Sequence, residues 1–232
     1  MSMKLHELHP AMIHAPLVLL PAAAVVDLVA ATAKGPRSWW LSRFGARLWP
    51  VGAGAGLLAG LAGMAASQEV NPEDRKVSDA MYLHGIGNFG LVVAAAVMAL
   101  FRARRRPSVG SATIGLVATG AAIYTAYLGG ELVYGSGLGV RAMTARSGVM
   151  PGVPDVLSRQ APGRFLRDAA KGLGWLFRRT AQIISGEVPF KRQALVHGKD
   201  AGRVEAEQAV EAFQARRESY YYPLPPMPPN AR

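Results

Sequence analysis

An all-α fold is predicted: a bundle of four transmembrane helices followed by a C-terminal amphipathic, helical extramembrane tail. Three observations predict it. Half of the 232 residues are hydrophobic and the mean hydropathy is positive. Four apolar runs are each long enough to cross the roughly 30 Å hydrocarbon core of a bilayer. The cations of the first 140 residues are gathered in two short loops, a pattern that orients membrane helices rather than one that grips a nucleic acid duplex.

The first run extends from Pro10 to Ala33 with Asp27 as its single charge. Pro10 and Pro16 fall near its first turns, where few backbone donors are lost, and Pro21 is expected to kink it. Lys34, Gly35 and Pro36 end it. Residues 37–49 interleave Arg37, Arg43 and Arg47 with Trp39, Trp40 and Trp49, which reads as an interfacial elbow. The second helix, 48–67, carries Gly52, Gly56 and Gly60 on one face, where another backbone or a flat cofactor can approach closely. Residues 68–80 are polar and predict an exposed loop. A third helix opens around His84 and stays apolar from Phe89 to Phe101, until the block Arg102-Ala103-Arg104-Arg105-Arg106, which is costly to place in lipid. The fourth runs from Val109 to Leu128, where Gly129 and Gly130 halt it and tyrosines supply an aromatic girdle.

Residues 1–140 thus form the transmembrane domain and 141–232 a basic tail. Of the net charge of +11, about +7 falls in the tail. Its segment 162–185 predicts an amphipathic basic helix that lies on a lipid surface or docks on a partner. Residues 201–219 predict a polar helix and 220–229 a polyproline-like end, a clasp for other subunits of a membrane complex. The loops holding Lys34 to Arg47 and Arg102 to Arg106 are basic, so the positive-inside rule puts them in the cytoplasm. Both termini and the histidines then face the periplasm of a bacterial inner membrane.

Cysteine is absent, which excludes disulfides, thiolate chemistry, Fe–S clusters and covalent c-type haem, and leaves histidine and carboxylate as the strong metal ligands. An up-down-up-down bundle gathers His6, His9, His14, His84, Tyr124, Tyr127, Glu131 and Tyr134 at one membrane face. His14 and His84 each lie about one turn inside a helix, and two imidazoles across a bundle are the ligation b-type haem uses. Glycines 60, 63, 85, 87 and 90 leave room for a porphyrin, and Glu131 or Tyr127 lies within reach of the group. Each histidine alone reads equally as an interfacial residue, and His6 with His9 as a surface Zn or Cu site. Asp27 is either a functional intramembrane carboxylate or the partner of an inner-loop arginine. The glycines after Leu128 lack the Lys-Ser/Thr of a phosphate loop, and no hydrolytic triad or acid pair is present.

His9-Pro10, His14-Ala15-Pro16, Asp27, the helix start His84-Gly85 with Asn88, and the run from Leu128 through Gly129-Gly130-Glu131 to Val140 resemble the "domain of unknown function 2231" family of predicted membrane proteins, over residues 5–142. The resemblance implies the four-helix architecture. It also implies an electron-transfer setting, since relatives are often joined to or encoded with c-type cytochromes. Many relatives carry a histidine near the closing Tyr-x-x-Gly, where this chain has Ser136, which leaves His14 and His84 as the expected pair. The resulting expectation is a haem b subunit without independent catalytic activity, exchanging electrons with quinone or a c-type cytochrome. The alternative is an assembly subunit without cofactor.

Overall fold

The computed structural model describes residues 3–70, 75–136, 138 and 154–188, with the backbone alone at His6. The described residues contain helices and no strand; one isolated bridge joins Lys4 to Asp155. A compact unit covers Met1–Lys191 and a second Arg192–Arg232. The second unit lies outside the described residues, and with it His197 and the helix and polyproline segments expected at 201–229.

After a 3₁₀ turn at Leu5–Glu7 come α1 (Leu8–Met12), α2 (His14–Thr32), α3 (Pro36–Ala66), α4 (Arg75–Arg104), α5 (Val109–Gly130) with a π-helical turn at Glu131–Gly135, and α6 (Ala161–Ile184). Four spans, Leu8–Thr32, Pro36–Ala66, Arg75–Arg104 and Val109–Gly135, are long and apolar enough to cross a membrane. They close into a ring in which α2 packs on α3 and α5, and α4 packs on α3 and α5.

Local chemistry explains the boundaries, several of which differ from expectation. The first span is interrupted at Ile13, because Pro16 has no N–H to give the carbonyl of Met12; hydrogen bonding resumes from Leu17 N–H to Ile13 O at 3.2 Å. It then continues through Pro21, so the break falls at Ile13 rather than at the anticipated Pro21. Gly35, with φ of 65°, turns the chain, and Pro36 occupies the first turn of α3. The Arg/Trp elbow is therefore helical and continuous with the second span: Ser42, Gly45 and Trp49 give it a buried face toward α2. At α5, Ser108 accepts from Ser111 N–H at 3.2 Å and its own N–H donates to Ser111 Oγ at 2.9 Å, a reciprocal cap.

The helix α4 extends past Phe101 and carries Arg102 into the interior, its side chain 1 % exposed. There Arg102 Nε donates to Asp27 Oδ2 at 2.7 Å and Nη2 to Asp27 Oδ1 at 3.0 Å and to the Ser42 carbonyl at 2.8 Å, while Nη1 bonds the Arg105 carbonyl. Trp49 Nε1 donates to Asp27 Oδ2 at 2.8 Å. Asp27 is thus the partner of a basic-loop arginine, as one reading of the sequence had it. The cluster sits beside the apolar packing of Ala23, Ala24 and Trp49 with Leu20, Met98 and Leu116.

The segment read as an exposed loop at 68–80 is also different. Glu69 and Asp79 are buried, and α4 already begins at Arg75. Their counter-ions come from α6, which lies across α3 and α4 within the first compact unit: Arg179 Nη2 meets Asp79 Oδ1 at 2.6 Å and Arg164 meets Glu69 at 3.5 Å. Tyr82 Oη and Thr180 Oγ1 are 3.0 Å apart, Phe89 and Phe177 meet edge-on at 5.4 Å, and Leu176 is fully buried against Gly85. The α6 backbone comes so near the Met64 carbonyl that a Cβ at Gly172 would overlap it. Leu5 is sealed against Ala161, Val156 and Phe165, and Lys4 pairs with Asp155 at 2.8 Å.

Arg102→Ala leaves the Asp27 carboxylate unpaired in an apolar interior and is expected to cost about 3–5 kcal/mol. Thermal unfolding in detergent measures this, and Asp27→Leu/Arg102→Met is expected to recover part of the loss.

Candidate two-histidine site

The imidazoles that meet are those of His9 and His84. Their ring centres are 6.0 Å apart with planes at 81°. His9 comes from α1 and bonds the α3 backbone, with Nδ1 2.8 Å from the Ala59 carbonyl. His84 comes from α4 and bonds the α5 backbone, with Nδ1 2.8 Å from the Thr125 carbonyl. A carbonyl oxygen only accepts, so in both rings Nδ1 carries the proton, and in the neutral ring Nε2 keeps its lone pair. That tautomer is the one a metal ion needs for ligation through Nε2, with the backbone carbonyls as orienting partners.

A second set of bonds fixes His84. Thr125 Oγ1 donates to Asn88 Oδ1 at 3.1 Å, and Asn88 Nδ2 donates to the His84 carbonyl at 2.9 Å and lies 3.2 Å from His84 Nε2. Four elements therefore wall the site: α1, α3, α4 and α5. Glycine makes the space for the rings. A Cβ at Gly63 would lie 3.0 Å from His9 Cε1, and one at Gly129 2.8 Å from His84 Cε1.

The remaining expected residues fall elsewhere. His14, just beyond the Ile13 break, is exposed on the outer surface of the bundle, so it is His9 rather than His14 that faces His84. The exposed Tyr127 hydroxyl pairs with the exposed Glu131 carboxylate on α5 and its π-helical turn, away from the two half-buried imidazoles. Tyr124 and Tyr134 are likewise exposed. Of the glycines expected to border a porphyrin, Gly63, Gly85 and Gly87 are filled by His9, Leu176 and Thr125, while Gly60 and Gly90 face open space. Among the described residues no group of three or more His, Asp or Glu gathers as a metal site, and the His6 side chain of the anticipated Zn or Cu pair lies outside them.

Sequence reasoning missed Asn88 and Thr125 as members of the site. The signal was present: Asn88 stands four residues after His84 and so shares its helix face. The two-carbonyl anchoring of the rings had no such signal.

The donor set passes one test of fit and strains another. Two imidazoles on one ion, at the roughly 2.0 Å metal–nitrogen distance usual for histidine, set their ring centres about 6 Å apart when they lie on opposite sides of it. The slot for a macrocycle is narrower than the glycine pattern suggested.

A family model described as "Predicted membrane protein (DUF2231)" matches residues 5–142. No curated protein and no solved structure matches the chain.

Gly129→Ala is expected to destabilise by about 1–3 kcal/mol, since the new methyl drives the His84 ring off its rotamer. Gly130→Ala, which meets nothing within 4 Å, is expected to cost nothing. Paired thermal unfolding curves check both.

Proposed function

The chain belongs to the DUF2231 family of predicted membrane proteins, and on that premise we propose that it is a redox subunit of a membrane complex, holding b-type haem between His9 and His84. The observation that carries this reading is the pairing of two half-buried imidazoles, each anchored at Nδ1 by a backbone carbonyl. Two protein nitrogens are too few for a structural zinc ion, which takes four ligands. They suffice for haem iron, whose macrocycle fills the other positions. When bound, haem supplies a one-electron iron couple. The protein's part is to orient the two Nε2 lone pairs, to hold them by fixed hydrogen bonds through a change of iron charge, and to exclude water with the apolar walls of α3 and α5.

Loop charge supports a bacterial inner-membrane placement with the histidine end toward the periplasm. A c-type cytochrome or quinone is then the electron partner, and the tail beyond α6 is the contact to other subunits.

A second reading, an assembly subunit without cofactor, is favoured by one specific observation: protein side chains fill three of the five glycine-lined spaces. On this reading the imidazole pair is a packing device that ties α1 to α4.

The absorbance spectrum of the purified protein separates the two. The redox reading expects a Soret band that is lost in His9→Ala and in His84→Ala and kept in His14→Ala. A colourless protein from haem-replete cells, still bound to its partner subunits, supports the assembly reading instead.

A further inference from the structure

We propose that the outward face of α6 binds anionic phospholipid headgroups in the leaflet at the histidine end of the bundle. The inward face of this helix is already committed. Ala169, Gly172 and Leu176 are buried, Arg179 is paired with Asp79, and Thr180 meets Tyr82. That fixes which residues point away: Arg167, Lys171 and Arg178 are exposed along one strip. The single acid of α6, Asp168, is buried and paired with Arg164 and Arg167, so the exposed face carries cations alone.

Depth along the bundle selects a membrane surface as the occupant. The α6 helix crosses the end of α3 at Met64, meets Glu69 just after it, and crosses α4 between Asp79 and Phe89. Both are the places where an apolar span gives way to charge, which is the level of the headgroups. Flanking the basic strip are Leu166, Phe177 and Ile184, exposed by 67 %, 49 % and 81 %. A helix pinned at that level, with cations outward and large apolar side chains beside them, matches a headgroup layer over acyl chains. Cations near a bilayer surface each favour anionic lipid by about fivefold. The proposal is independent of haem.

The absence of cysteine makes a single-site probe straightforward. Gly174 is exposed and a Cβ there meets nothing within 4 Å, so Gly174→Cys carries a fluorophore between Lys171 and Arg178. The full chain is placed in nanodiscs containing equal fractions of nitroxide-labelled phosphatidylglycerol or nitroxide-labelled phosphatidylcholine. Expected is stronger quenching by the phosphatidylglycerol, abolished by Arg167→Gln/Lys171→Gln/Arg178→Gln with an unchanged unfolding midpoint. Should the triple variant fold poorly, Lys171→Gln/Arg178→Gln is expected to weaken the preference. Equal quenching by the two lipids, quenching by neither, or a preference that survives these substitutions overturns the proposal; quenching by neither turns attention to a protein partner.

Discussion

The ion pair between Asp27 and Arg102 is the contact on which the rest of the bundle depends. An apolar interior offers no water to a polar group, so every such group must find its partner inside the protein. Both carboxylate oxygens are satisfied, one by Arg102 and the other by Arg102 and the Trp49 indole, and Arg102 reaches on to the Ser42 carbonyl. One cluster thus ties α2, α3 and α4 together near one end. A buried pair of this kind contributes little net stability over an apolar replacement. Its physical effect is on register: sliding α2 or α4 strands a charge, and sliding α3 moves Gly45 away and puts a side chain against the Asp27 carboxylate.

The same constraint acts at the opposite end with the reverse consequence. There the polar groups are His9 and His84, and each spends its Nδ1 proton on a helix carbonyl. A helical carbonyl has a second lone pair, so these bonds do not disrupt the helices of Ala59 and Thr125. What is left is an unprotonated Nε2 on each ring, that of His84 lying 3.2 Å from Asn88 Nδ2. One end of the bundle therefore closes its electrostatics among its own side chains, and the other through bonds from side chains to helix carbonyls.

Much of this was legible in the chain because membrane helices advertise themselves by length and hydropathy. The four spans, the partner class of Asp27 and the meeting of two histidines at one end all follow from local pattern. The choice of His14 over His9 failed on helix phase. Depth was reckoned along one unbroken helix, whereas Pro16 interrupts it at Ile13 and leaves His14 on the outer surface. The buried acids Glu69 and Asp79 were unreadable for a different reason: their arginines, Arg164 and Arg179, stand about a hundred residues later in a helix that sequence could not place. The glycines at 63, 85 and 87, expected to leave room for a porphyrin, meet His9, Leu176 and Thr125 instead, because a glycine pattern marks a close approach without saying what approaches.

At the centre of the site are two imidazoles held as Nδ1–H donors, with the Nε2 of each unprotonated. Nitrogen-15 spectra of histidine-labelled protein in detergent test this arrangement most directly. Expected are two imidazoles protonated at Nδ1 and protected from exchange, both lost from the spectrum together with His9 and His84, while His14 exchanges with solvent. Rings protonated at Nε2, or His9 and His84 exchanging as freely as His14, would contradict it.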